Sequence, residues 1–442
     1  MGDFTAFIKG LENKKVLGIN PPVFDFAFFD FWAKPLGLLY ILEYLRRRGN
    51  TVNLIDCIYE GRDKPKSYGR YKPKRREIGK PLPYKAIPRR FFHFGMTKEE
   101  LEESLSALEP PDIILMTSGM TYWYLGVKWC IEIVKGIFPD VPLLLGGIYA
   151  QLCPDHAQGL GADGVQTTPL GVPFFRPALD LYDAPEYGIT ITSIGCPLNC
   201  KYCASKRLWP KYRKRNVDEV IDEISFQAGM RSVGDIAFYD DALLLDKERH
   251  FYPLCDELKK RHGHLRYHTP NGLHVREIDE VCARYLYETG FKTIRLSLES
   301  TDPAIQNAGS DKVHDDQYIR AVGNLLKAGY THEDIETYIL VGLPGQKYEA
   351  VERAILFVKS LGATVKLAEY SPIPGTPMFD ECAMIFPLLK EDPLYQNNTA
   401  YCGYMTPEIT QKNLQRLKNL AKNKIKDGAK ASTIGRNDPP WI

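Results

Sequence analysis

Three cysteines fall within eight residues, Cys196, Cys200 and Cys203, spaced C-x3-C-x2-C in the run Gly195-Cys196-Pro197-Leu198-Asn199-Cys200-Lys201-Tyr202-Cys203-Ala204-Ser205. Thiolates this close converge on a soft metal centre, and the two common occupants are a structural zinc and an iron–sulfur cluster. Zinc wants a fourth ligand nearby, whereas the next candidates, His250 and Cys255, stand about 50 residues further on. The run also departs from the bacterial ferredoxin spacing, in which a fourth cysteine and a proline follow. Three ligands leave a position open for a cofactor or substrate, by the logic that keeps one site free on catalytic zinc. The bland alternative is a set of unrelated buried thiols.

The elements that must position these thiols can be read from apolar periodicity. From Lys15, apolar runs at Val16–Ile19, Val52–Asp56, Ile113–Met116, Leu143–Leu145 and Gly164–Val165 alternate with helical stretches near Leu36–Arg48 and Tyr124–Ile137. Apolar strands separated by helices predict a parallel sheet covered on both faces, so residues 1–170 are expected to form a five-stranded doubly wound α/β domain. Its ligands would bind at the carboxyl ends of the strands, which hold Asn20-Pro21-Pro22, Asp56, Thr117-Ser118-Gly119 and Gly146-Gly147. Residues 171–187, rich in Pro and Asp, read as a linker. Beyond them come six strand candidates, Ile189–Ser193, Ile236–Tyr239, Leu265–His268, Thr293–Ser297, Thr337–Val341 and Val365–Tyr370, with helices between. Six β/α repeats over 188–385 predict a partial (β/α)6 barrel whose carboxyl-end loops carry the chemistry, with the thiols after its first strand. A charged amphipathic helix, Pro407–Lys426, is expected within a short helical C-terminal region, 386–442.

Within the first domain, residues 61–93 hold twelve Lys or Arg against Asp63 and Glu77. Basic residues alternating with Tyr68, Tyr71 and Tyr84 can engage phosphates and stack bases. We read this insert instead as a loop that wraps its own domain or gates a cleft, so nucleic acid is not expected as a partner. The net charge of +2 singles out no partner class. Ten cysteines without an N-terminal apolar segment lead us to expect a reducing cytoplasm, where clustered thiols serve metals or catalysis. No stretch reaches the roughly 18 uninterrupted apolar residues of a membrane span.

With its later strand ends, the thiol loop resembles the radical S-adenosylmethionine (radical SAM) superfamily. The pieces are Phe238-Tyr239-Asp240-Asp241-Ala242-Leu243, Thr269-Pro270-Asn271-Gly272-Leu273, Arg295-Leu296-Ser297-Leu298-Glu299-Ser300, Val341-Gly342-Leu343-Pro344-Gly345-Gln346 and Ser371-Pro372-Ile373-Pro374-Gly375-Thr376. Each is weak alone, and the ordered set is specific. The resemblance implies a 4Fe-4S cluster on Cys196, Cys200 and Cys203, its open iron bound by the amino and carboxylate groups of S-adenosylmethionine. One-electron reduction would then yield a 5′-deoxyadenosyl radical that abstracts hydrogen from a substrate. It also implies Asp240 or Asp241 for the ammonium, Ser297 and Glu299 for the ribose, and Gly342, Pro344 and Gly345 along the adenine. Tyr202 would cover the cluster or the adenine, and Asn271 and Ser371 complete the set. Without the cysteines, Asp240-Asp241 would read as a turn or helix cap and Ser371–Thr376 as a proline turn.

A doubly wound, Rossmann-like domain ahead of such a barrel resembles the cobalamin-binding branch of the superfamily, the class B radical SAM methyltransferases. Lys34-Pro35-Leu36-Gly37 opens the first helix, and the resemblance places cobalamin against Thr117, Ser118, Thr121, Tyr122, Gly146, Gly147, Ile148 and Tyr149. Tyr122, Trp123 and Tyr124 can pack on the macrocycle or serve as aromatic core. The D-x-H-x-x-G motif that supplies a histidine to cobalt is absent after the first strand; Asp155-His156-Ala157-Gln158-Gly159 is one residue short and follows another strand. The expected function is a cobalamin-dependent radical SAM methyltransferase acting on an unactivated carbon of a peptidyl or small-molecule substrate, with an electron donor such as flavodoxin or ferredoxin. The alternatives are a non-methylating radical enzyme with a relic cobalamin domain, and an RNA-modifying enzyme using the basic insert. The last would want a second cluster, for which Cys57, Cys130 and Cys153 are unevenly spaced.

Overall fold

Two parallel sheets arise from the two sets of apolar runs. The computed structural model describes residues 3–28, 32–60, 68, 70, 72–308, 313–406 and 408–423. In the first sheet, β1 (Lys15–Asn20), β3 (Thr51–Asp56), β6 (Ile113–Met116), β7 (Leu143–Leu145) and β8 (Gly164–Val165) lie in the order β3-β1-β6-β7-β8, all parallel. Helix Leu36–Arg47 packs closely because Gly18 of β1 lacks a side chain; a Cβ there would stand 2.7 Å from Leu42. Helix Lys98–Ser106 begins at a capping box, with Thr97 accepting from the Glu100 amide and the Glu100 carboxylate accepting from the Thr97 amide.

The insert departs from the expected irregular loop. A three-stranded antiparallel sheet joins β2 (Val23–Asp25), β5 (Phe91–Phe94) and β4 (Arg75–Ile78) in the order β2-β5-β4. The cause is Phe91-Phe92-His93-Phe94, four buried side chains that favour a pleated, covered strand. Edge strand β4 is exposed and carries Arg75 and Arg76, charges that discourage further pairing. Residues 61–67, 69 and 71, which include Asp63 and Tyr71, lie outside the described residues.

The second sheet holds β9 (Gly188–Thr190), β12 (Asp235–Phe238), β13 (Arg266–His268), β14 (Phe291–Glu299), β15 (Ile335–Val341) and β16 (Thr364–Glu369). Its order, β16-β15-β14-β13-β12-β9, is parallel throughout and leaves β9 and β16 as edges, which is a partial (β/α)6 barrel. The strand expected over Ile189–Ser193 is divided. Its second half, β10 (Ser193–Ile194), pairs antiparallel with β11 (Arg213–Lys214) and leads into the thiol loop. On β15 the residues alternate strictly, Ile335, Thr337, Ile339 and Val341 buried and Glu336, Tyr338 and Leu340 half-buried. One face of the barrel sheet thus packs under helices, and the concave face is polar.

The carboxyl-terminal helix runs from Gln411 to Lys422, shorter than expected, and packs on helix Tyr348–Ser360 and β16; Pro407 and residues 424–426 lie outside the described residues. Before it, residues 386–406 bind the first sheet and its insert. The Tyr84 hydroxyl donates to the Leu394 carbonyl (2.9 Å), Arg89 to Thr399 Oγ1 (2.9 Å), Tyr124 to Asp392 (3.0 Å) and Asn397 to Asp25 (3.0 Å). On the β9 side, Arg215 pairs with Glu223 at 2.8 Å, both buried, and the Tyr40 hydroxyl donates to that carboxylate at 2.9 Å. The open side of the barrel therefore faces the N-terminal unit. Trp32, just ahead of helix Leu36–Arg47, belongs to the same buried cluster as the barrel strands. No helix among the described residues is long and apolar enough to cross a membrane.

Candidate active site

The thiol loop leaves β10 at Gly195, whose φ of +74° and close approach to the Trp209 carbonyl (3.1 Å from where a Cβ would sit) demand glycine. Cys196 and Cys200 are half-buried and Cys203 is exposed. The Cys203 amide donates to the Cys200 carbonyl (3.1 Å) and the Ser205 amide to Cys203 Sγ (3.4 Å). Although the residue as a whole is exposed, protein packed around its sulfur, then Asp241 and the other two thiols, push the Cys203 thiol up to about 11. Among the described residues no three His, Cys, Asp or Glu side chains gather tightly enough for a single metal ion. Tyr202 turns its ring into an apolar cluster with Leu343, Tyr370, Met378 and Phe379, and the Met378 amide holds the Lys201 carbonyl at 3.1 Å.

Asp240 and Asp241 have separate surroundings. Asp240 is buried and accepts from the Thr192 amide and hydroxyl and from the Ser193 amide and hydroxyl, at 2.6–3.1 Å. That binds it to the turn between β9 and β10. Asp241 is exposed, accepts from Ser205 Oγ at 2.5 Å, and lines a small cavity with Asp240, Thr269, Asn271, Gly272 and His274. The Asn271 amide donates to the Tyr239 and Asp240 carbonyls. Gly272 passes directly over buried Ser297, whose Oγ would stand 1.9 Å from a Cβ. Glu299 sits at a bulge in β14 with φ +67°, a re-aiming of the strand end that alternation does not announce.

Packing alone demands glycine at Gly342: its φ is +92° and a Cβ would meet Cys402 Sγ at 2.7 Å. Pro344 is half-buried and Gly345 exposed, with open space where a Cβ would be. Buried Gln346, the last residue of this run, accepts from the Gly342 and Leu343 amides and donates to the Leu340 carbonyl, and so fixes the loop. The Ser371 hydroxyl donates to the Gln396 carbonyl at 2.5 Å and ties this strand end to the C-terminal segment.

Sequence reasoning missed the concave face of the barrel. His268 Nε2 donates to Asp235 (2.8 Å), Arg266 forks onto the same carboxylate (2.6 and 2.7 Å), and Glu336 joins Arg295 (3.1 Å) to Lys366 (3.0 Å). Over this layer lies Trp32, 3% exposed, stacked on His268 at 4.8 Å, with its carbonyl accepting from the Tyr239 hydroxyl. The alternation Thr293-Ile294-Arg295-Leu296-Ser297 was the available signal.

At the carboxyl edge of the first sheet the predicted cobalamin residues divide in two. Ser118 Oγ donates to the Gly146 carbonyl, and Gly147, φ +95°, presses on the Ser118 backbone. Thr121 and Tyr122 are buried. Tyr149 is 0% exposed, its hydroxyl 2.5 Å from His156 Nδ1 and its ring beside Tyr124. The tyrosines are core, because helix starts at this edge turn their aromatics inward. Thr117, Gly146 and Ile148 remain at the surface of the edge, joined by exposed Met120, which sequence reasoning passed over. Helix Ile148–Leu152 lies against helix Ser205–Leu208, which follows the third cysteine. Cys57 and Cys130 are adjacent and fully buried, which raises the Cys57 thiol, whereas Cys153 faces Gln396 and is pushed up to about 12 by burial.

Residues 190–358 match the family model of the radical SAM superfamily. An uncharacterised methyltransferase of Pyrococcus horikoshii is 29% identical over 202 residues, 45% of this chain and 42% of its own. The chain spans about a third to a half of the length of the curated relatives it matches. Among solved structures, the radical S-adenosylmethionine methyltransferase TsrM from Kitasatospora setae, with cobalamin and 4Fe-4S cluster bound, aligns with a TM-score of 0.62 at 16% identity, covering 93% of this chain and 91% of that one. The cobalamin-dependent S-adenosylmethionine radical enzyme OxsB, with aqua-cobalamin bound, aligns with a TM-score of 0.62 at 12% identity, covering 92% and 66%.

Proposed function

We propose, from the match of residues 190–358 to the radical SAM family model, that the chain is a cobalamin-dependent radical SAM methyltransferase acting on an unactivated carbon of a peptidyl or small-molecule substrate. The observation that carries the reading is the contact of helix Ile148–Leu152, at the carboxyl edge of the first sheet, with helix Ser205–Leu208 after the thiols. In doubly wound sheets ligands bind at that edge, so a corrinoid there would face the cluster across a short gap. Fold likeness to TsrM and OxsB supports the same arrangement.

The residues present fit these groups. Three thiols on one loop suit a 4Fe-4S cluster, and exposed Asp241, held beside them by the Ser205 hydroxyl, suits the ammonium of an amino acid headgroup. Small Gly146 and apolar Met120 and Ile148 suit the face of a macrocycle. When bound, the cluster with S-adenosylmethionine supplies a carbon-centred radical and cobalamin supplies the methyl group. Cys196, Cys200 and Cys203 hold the cluster, and Asp241 accepts from the cofactor's ammonium while Asp240 fixes the turn beneath. Half-buried Glu299 at the strand bulge would face the ribose, with Ser297 beneath Gly272 supporting that strand end, and Tyr202 would close the site against water from the side of Leu343 and Phe379.

The test is anaerobic purification with iron, sulfide and cobalt analysis, followed by assay of S-adenosylmethionine cleavage. We expect about four irons, stoichiometric corrinoid, and loss of both iron and 5′-deoxyadenosine in Cys200→Ala. Iron-loaded protein with no affinity for cobalamin would overturn the methyl-transfer reading.

A further inference from the structure

From Lys201 to Arg215 the chain carries seven Lys or Arg and no Asp or Glu. Arg215 is buried in its pair with Glu223, and Lys214 reaches the Leu245 carbonyl. The other five, Lys201, Lys206, Arg207, Lys211 and Arg213, are exposed. Elsewhere on the surface cations are commonly matched to carboxylates, as in Lys15–Glu109, Lys98–Glu102, Arg261–Glu257 and Arg320–Asp316. None of these five has a carboxylate within ion-pairing distance among the described residues.

Their positions form a collar around the thiol loop. Lys201 lies between two of the cysteines, and Lys206 bonds the Asn199 side chain inside the same loop. Arg207 stands against Gly375, 3.5 Å from where a Cβ would be. The Lys211 carbonyl borders Gly195, and Arg213 pairs with Ile194 one residue before it. Arg213 also lines a groove of about 540 Å³ with Phe174, Phe175 and Arg47, whose walls include the carboxylates of Glu219 and Asp222. Unmatched cations on one side of a surface repel each other at a cost that a partner's carboxylates would relieve.

We propose that this collar is the docking surface for a small, acidic one-electron donor protein, an inference that rests on the radical SAM reading above. At contact the donor is oxidised by one electron and the cluster on Cys196, Cys200 and Cys203 is reduced by one; no bond forms and no proton moves. Charge complementarity of this kind steers encounter and sets the on-rate, and a transient electron-transfer contact needs only a small interface.

The experiment uses the reconstituted holoenzyme, with a reduced acidic flavodoxin as probe and titanium(III) citrate as a small reductant that needs no docking. We expect flavodoxin-driven 5′-deoxyadenosine formation to fall steeply with added salt, and Lys211→Glu/Arg213→Glu to lower it by ~10-fold or more. Lys211→Gln/Arg213→Gln should fall between that variant and the parent, with a shallower salt dependence. With titanium citrate all three proteins should react at the same rate. Equal loss with both reductants would overturn the proposal by making the collar part of the cluster site. No loss with flavodoxin, or no salt dependence in the parent, would overturn it as well. A parent that loads iron and yields no 5′-deoxyadenosine even with titanium citrate would instead sink the underlying functional reading.

Discussion

Adjacent carboxylates at the end of β12 have opposite tasks. Asp240 serves two backbone amides and two hydroxyls of the β9–β10 turn, so Asp240→Ala would leave four buried donors without their acceptor. At about 1–3 kcal/mol for an unsatisfied buried group, we expect a marked fall in thermal midpoint. Asp241→Ala should keep the midpoint and weaken S-adenosylmethionine binding, which equilibrium dialysis on the reconstituted protein would measure. The sequence placed both residues at the right strand end. It did not distinguish them, because spacing says nothing about which carboxylate turns under the preceding loop. A second residue-scale effect comes from His93, buried against Phe24 and Trp129 beside Arg76 and held down to about 4. Between about pH 6.5 and 4 the unfolded chain takes up a proton that the folded chain refuses. The stability is therefore whole above about pH 6.5 and is lost as pH falls through that window. His93→Phe should show a smaller drop in thermal midpoint from about pH 7 to about pH 5 than the parent, read by scanning fluorimetry.

Among the elements, all five strands of the first sheet were legible because a strand covered on both faces must be a run of apolar residues, and the six of the barrel because short β-branched and aromatic runs recur between helical stretches. The insert was not. Its basic and tyrosine content masked Phe91–Phe94, whose burial depends on β2 and on helix Tyr124–Ile137 rather than on local pattern. The 386–406 segment was equally opaque, since it is short turns whose partners lie some 300 residues away in sequence. Asn397 concentrates that docking: it donates to buried Asp25 and accepts from the Thr399 and Ala400 amides. Asn397→Ala should cost about 1–3 kcal/mol and speed proteolysis within 386–406, whereas the exposed control Asn419→Ala should do neither. Denaturant titration and timed trypsin digestion would check it.

In the whole molecule Trp32, Leu36, Leu39, Tyr40 and Tyr59 of the N-terminal unit are buried in the same cluster as the barrel strands, and Trp32 stacks directly on the barrel's His268. The φ of +65° at Trp32 is unfavourable for a bulky side chain, so the contacts with His268, Tyr239 and Arg295 must hold it in place. Trp32→Ala should cost about 3–5 kcal/mol, and because the site belongs to both units the loss should shift one common calorimetric transition. Two separated transitions would contradict it. This insertion also bears on how such proteins can be recombined. A barrel severed from its N-terminal partner at the 171–187 stretch would lose the indole over Asp235, His268 and Arg295, and expose a polar interior to water. A chimera that exchanges N-terminal units between relatives must therefore transplant a tryptophan-bearing segment matched to the recipient's own barrel lining. The two halves of this fold are not interchangeable parts.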